Sequence, residues 1–102
     1  MKLIDIIEDL DNVSEDLIIY AAPVGGRWTA ESPAALVPMP EDGERLRRMG
    51  EDYEGMLYMI EVFLAKEVAE DWADRQNIAF LDEPTKLRVI VYYAEHDAYP
   101  PA

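Results

Sequence analysis

The run from Met56 to Arg75 is the longest stretch of regular pattern in the chain. Its first nine residues, Met56-Leu57-Tyr58-Met59-Ile60-Glu61-Val62-Phe63-Leu64, carry a single charge. Leu, Met, Ala, Glu and Lys favour helix, so the composition of the run predicts a helix over 56–75. A helix that is apolar almost all round has to be covered on most sides, and the rest of the chain must supply that cover. The aromatic and β-branched residues of 56–63 leave a strand as the alternative for that half. In the second half Leu64, Val68 and Trp72 lie four apart, the spacing of one apolar helix face.

Around this run the pattern is shorter-ranged. Leu3, Ile6, Ile7 and Leu10 recur at helical spacing, which predicts an amphipathic helix over about 2–11. Asp16 to Ala21 reads as a strand, closed by Pro23 and the Gly25-Gly26 turn. Trp28-Thr29 opens a second strand that Ala35-Leu36-Val37 continues, and Pro38 confines it to a sheet edge or stops it. Residues 38–55 read as a surface loop with one helical turn near 44–48. Leu87-Arg88-Val89-Ile90-Val91-Tyr92-Tyr93 has the composition of a strand. The order is then α-β-β-α-β. The expected fold is a single α+β domain over 1–102, with a small, mostly antiparallel sheet of about three strands and two helices packed on it.

Two patches, Tyr58 to Glu67 and Val91 to Pro100, carry a family likeness. Together they resemble a group of small uncharacterised bacterial domains with a helix that opens Tyr-x-x-Glu-Val and a closing Tyr-Tyr-Ala…Asp-Ala-Tyr segment. The resemblance carries no known activity and so implies no site residues.

Charge sets the functional expectations. The 102 residues hold 22 acidic and nine basic side chains, for a formal net charge of −13. Such a field repels nucleic acid and favours basic partners. With no basic stripe to meet phosphates, direct nucleic-acid binding is not expected. The absence of cysteine removes disulfides, thiolate metal ligands and a thiol nucleophile together. The longest nearly apolar run, Met56 to Ala65, is too short to span a bilayer, and Met1-Lys2 leads into an acidic amphipathic segment instead of a signal region. The expectation is a cytoplasmic protein without a membrane, metal or cofactor partner.

Catalytic candidates are few. His96 is the one histidine, flanked by Glu95 and Asp97, too few nitrogen or sulfur ligands for a transition metal. Ser14 and Ser32 stand outside any nucleophile elbow. Pro23-Val24-Gly25-Gly26-Arg27 lacks the lysine of a phosphate loop and reads as a turn. Glu61 is the one charge in its apolar run, so burial and a partner are expected for it. The acids carry the better argument. Glu67, Glu70, Asp71 and Asp74 fall at i, i+3, i+4 and i+7, where like charges repel on a helix. A chain that keeps such repulsion is read here as using it. The leading expectation is a non-enzymatic interaction protein whose acidic stripe meets a basic protein surface, as an inhibitor of a nucleic-acid-handling enzyme of the immunity or phage anti-defence type would. A small-ligand or catalytic domain built on Glu61 and Glu95-His96-Asp97 is the alternative, and an oligomerising accessory domain the third.

Overall fold

The computed structural model describes residues 1–39, 55–79 and 81–101. Its elements are helix α1 (Leu3–Glu8), a 3-10 turn (Leu10–Asn12), strands β1 (Leu17–Ala21), β2 (Ala34–Pro38) and β3 (Leu57–Glu61), and helices α2 (Val62–Arg75) and α3 (Glu83–His96). The strands form one antiparallel sheet in the order β2-β1-β3. The class is α+β, as expected. The order is α-β-β-β-α-α rather than α-β-β-α-β, with three α-helices instead of two. The loop and helical turn expected within 38–55 lie, from residue 40 to 54, outside the described residues.

Helix α1 follows its pattern: Leu3, Ile6 and Ile7, with Leu10 in the 3-10 turn, are all at most 1% exposed. The Lys2 amide donates to Asp5 Oδ2 at 2.9 Å and the Leu3 amide to the Ser32 carbonyl at 2.8 Å, tying the helix start to the chain ahead of β2. Ser32 is itself buried, and its hydroxyl accepts from the Thr29 amide at 2.8 Å, so its burial leaves no polar group unmet. Strand β2 begins at Ala34, not at Trp28, and ends at Pro38 on the sheet edge, where the missing N–H breaks no ladder.

The run from Met56 splits. Leu57–Glu61 is a strand and Val62–Arg75 a helix, with no loop between them, so the predicted 56–75 helix is corrected at its first six residues. Pairing with β1 buries Met59 and Ile60 more fully than a helix with one face outward would. The larger correction is at Leu87–Tyr93, which is the middle of α3, not a strand. Asp82 caps that helix by accepting from the Thr85 amide at 2.9 Å, and Pro84 sits in the first turn, where its missing N–H is harmless. Leu87, Ile90, Val91 and Ala94 fall at i, i+3, i+4 and i+7, and all four belong to or pack on the core. Cap and burial together outweigh the β propensity of Val89-Ile90-Val91.

One core collects Leu3, Ile6, Ile7 and Leu10, the inward residues of the sheet, Val68 and Trp72 of α2, and Val89 and Ile90 of α3. A second, smaller cluster on the opposite sheet face contains Ile18, Tyr20 and Val37, with Met56 and Tyr58 against them. A bulge opposite Ile19/Tyr20 decides which side chains of β3 join which face. Ile19 pairs with Ile60 but Tyr20 with Tyr58, so Met59 is the extra residue. Tyr58 and Glu61, three apart, therefore share the face of Ile18 and Tyr20, where strict alternation would separate them.

Candidate functional site

Helix α2 presents Glu70 and Asp74 to a trough whose other walls come from the end of α1 and from the start of α3. Glu8, Asp11 and Glu15 stand on one side and Asp82 and Glu83 on the other. Between them lie Leu10, Ala69, Ala73 and Leu81, all nearly buried, which make an apolar bottom. The trough encloses about 650 Å³. Seven carboxylates and two lysines line it, a formal surplus of five negative charges. Lys66 is committed inward, its Nζ donating to the Val13 carbonyl at 2.7 Å. Glu8, Asp11, Glu15, Glu70, Asp74 and Glu83 have no ion pair among the described residues. Asp82 is held below the usual carboxylate range by its hydrogen bonds to Thr85, so it stays ionised well into acid.

The small residues matter here as much as the acids. Ala69 and Ala73, four residues apart on α2, keep the helix surface low beside Leu10 and Leu81. A helix carrying Leu or Met at those positions would fill the channel with its own side chains.

Of the four acids expected to form one stripe, the structure brings Glu70 and Asp74 into the trough and sets the other two apart. Asp71 Oδ2 accepts from the Tyr99 hydroxyl at 2.7 Å and lies 3.8 Å from Arg75 Nη2. Arg75 in turn sits 4.3 Å above the Tyr99 ring, and Tyr93 meets that ring edge-on at 5.3 Å. Asp71 thus anchors the C-terminal segment. Burial first, then the bond to Asp71, raises the Tyr99 phenol to about 12. Glu67 is exposed and outside the trough. The walls added by Glu15, Asp82 and Glu83 were not singled out as binding residues, because nothing in their spacing says that three separate segments converge.

Glu61 is half-buried, not buried, and sits at the junction of β3 and α2. Tyr58 is beside it, and the Tyr58 phenol is raised by burial and, next, by the hydrogen bond to Glu61. Glu95 faces Arg27 at 3.8 Å, His96 stacks on Tyr92 with ring centroids 4.2 Å apart, and Asp97 closes α3 in the left-handed conformation. No hydrogen bond or ion pair joins Glu61 to that segment. Among the described residues no three His, Asp or Glu side chains gather as a metal site, and no helix is long and apolar enough to cross a membrane.

Comparison with protein-family models, with curated proteins and with solved structures finds no match for this chain.

Proposed function

We propose that the protein is a non-enzymatic interaction protein that receives a basic, amphipathic helical segment of a protein partner in the acidic trough. The observation that carries this reading is the convergence of seven carboxylates from three segments around an apolar bottom. A helix with apolar residues at i, i+3, i+4 and i+7 and lysines or arginines beside them matches both features. The apolar side chains would bury against Leu10, Ala69, Ala73 and Leu81, while the cations meet the rims. Rim acids raise the encounter rate and disfavour acidic competitors, and their contribution fades as salt rises. Inhibition of a nucleic-acid-handling enzyme belongs to this proposal as one use of such docking, since those enzymes carry basic surfaces.

The test is fluorescence anisotropy with a labelled helical peptide of Leu, Ala and Lys, against the same peptide with Glu for Lys. Saturable binding of the Lys peptide alone, weakening with salt and lost in Glu70→Lys with Asp74→Lys, is the expected result. Equal affinity in wild type and double variant, with circular dichroism showing an intact fold, would remove the trough as the docking site.

A further inference from the structure

On the side of α3 away from the trough, the turn after β1 faces the helix across a second cleft. Its volume is about 210 Å³, and Arg27, Trp28, Leu87, Arg88, Val91 and Tyr92 line it, with Glu95 at its margin. The turn is tight. Val24 and Arg27 bridge each other around Gly25 and Gly26, whose φ of 62° and 83° fit a two-residue hairpin turn that a side chain would strain. Trp28 Nε1 donates to the Ala21 carbonyl at 2.9 Å, which fixes the indole plane. Tyr92 is braced from behind by the His96 ring.

The two guanidinium groups are under-used. Arg27 meets Glu95 only at 3.8 Å, beyond the 2.7–2.9 Å of a charge-assisted hydrogen bond. Arg88 has no ion pair among the described residues. In a chain of net charge −13, two arginines with donors to spare among the described residues thus face one apolar, aromatic-walled space.

We propose that this cleft binds a small aromatic carboxylate, the carboxylate held by Arg27 and Arg88 and the ring lying among Trp28, Leu87 and Val91. Guanidinium forks match carboxylates in two-point geometry, and an apolar cleft with a few convergent polar groups is the usual form of a small-ligand site. The volume admits a single ring acid or one chain-terminal aromatic residue. Glu95 occupies part of Arg27 in the free protein, so a ligand competes with it.

The probe is phenylacetate, titrated into the full chain and followed by amide and indole N–H chemical shifts. Saturable shifts at the Trp28 indole and at Val91 and Tyr92, without a shift at the Trp72 indole, are expected. Arg27→Gln and Arg88→Gln should each weaken binding roughly tenfold, as loss of one charge-assisted pair does. Glu95→Gln should tighten it by freeing Arg27, and benzyl alcohol, which lacks the charge, should not bind. Acetyl-Leu-Phe with a free carboxylate and its C-terminal amide separate the sources. Tighter binding of the peptide acid than of phenylacetate identifies a chain terminus, and the reverse identifies a free small acid. No saturation by phenylacetate and by the peptide acid, or shifts that persist unchanged in Arg88→Gln, would overturn the proposal.

Discussion

Replacing Asp74 with lysine should make the protein more stable while weakening the interaction proposed for the trough. On α2, Asp74 lies four residues after Glu70 and three after Asp71, and all three are acidic. Each like-charge pair at these spacings opposes the helix by about 0.2–0.5 kcal/mol, and an opposite-charge pair favours it by as much. Reversal at 74 converts two repulsions into two attractions, or about 1–2 kcal/mol. Asp71 is already partly neutralised by the Tyr99 hydroxyl and by Arg75, so the lower end, about 1 kcal/mol, is the better figure. Lysine in the last turn also complements the helix dipole, by about 0.3–1 kcal/mol. Urea unfolding followed by circular dichroism is the assay. With a slope of about 1–3 kcal/mol per molar, the midpoint should rise by roughly 0.5 M. The gain should largely vanish at about 1 M salt, where screening acts within about 3 Å. A midpoint that falls, or a gain indifferent to salt, would show that the acids of α2 are not the repulsive array argued above. The basic helical peptide should bind this more stable variant less well than wild type, a pairing of effects that generic misfolding cannot produce.

Two further outcomes follow from the packing and the tail. Ile90→Ala in α3 removes a side chain with 0% exposure and should cost about 2–5 kcal/mol in urea unfolding, whereas a strand exposing alternate residues would lose far less at one of its outward positions. Tyr99→Phe deletes the bond to Asp71 and, at a part-exposed site, should cost about 1 kcal/mol at neutral pH. Because the Tyr99 phenol is raised from its ordinary 10 to about 12 in the fold, its contribution is fully present below pH 10 and lost as pH climbs towards 12. The difference between wild type and Tyr99→Phe should therefore shrink over that window, which stability measurements at stepped alkaline pH would check.

What the sequence made legible is local. Leu3, Ile6, Ile7 and Leu10 marked α1 by period, Gly25-Gly26 marked the tight turn by its tolerance of positive φ, and Pro38 placed β2 at an edge. Val89-Ile90-Val91 misled because propensity is a weak prior, while the stronger signals sat upstream in Asp82 and Pro84 and in the Leu87-Ile90-Val91-Ala94 period. The 56–75 run was misread at its start because a short apolar stretch has no period that separates a covered strand from a covered helix. Of the acidic stripe, Glu70 and Asp74 reach the trough, but Asp71 was claimed by Tyr99, 28 residues away, a pairing no local pattern announces.

The junction at Glu61 and Val62 has a mechanical consequence. Because β3 passes into α2 with no intervening residue, the strand's hydrogen-bond ladder and the helix's rotation are geared together. A one-residue slip of β3 against β1 would turn every side chain of α2 by about 100° around the helix axis. Glu70 and Asp74 would then swing out of the trough together. The pairs Ile60 with Ile19 and Glu61 with Ile18 are thus the teeth that set the gear. Inserting one residue between Glu61 and Val62, just past the ladder, is a way to aim the acidic face elsewhere without touching a single charge.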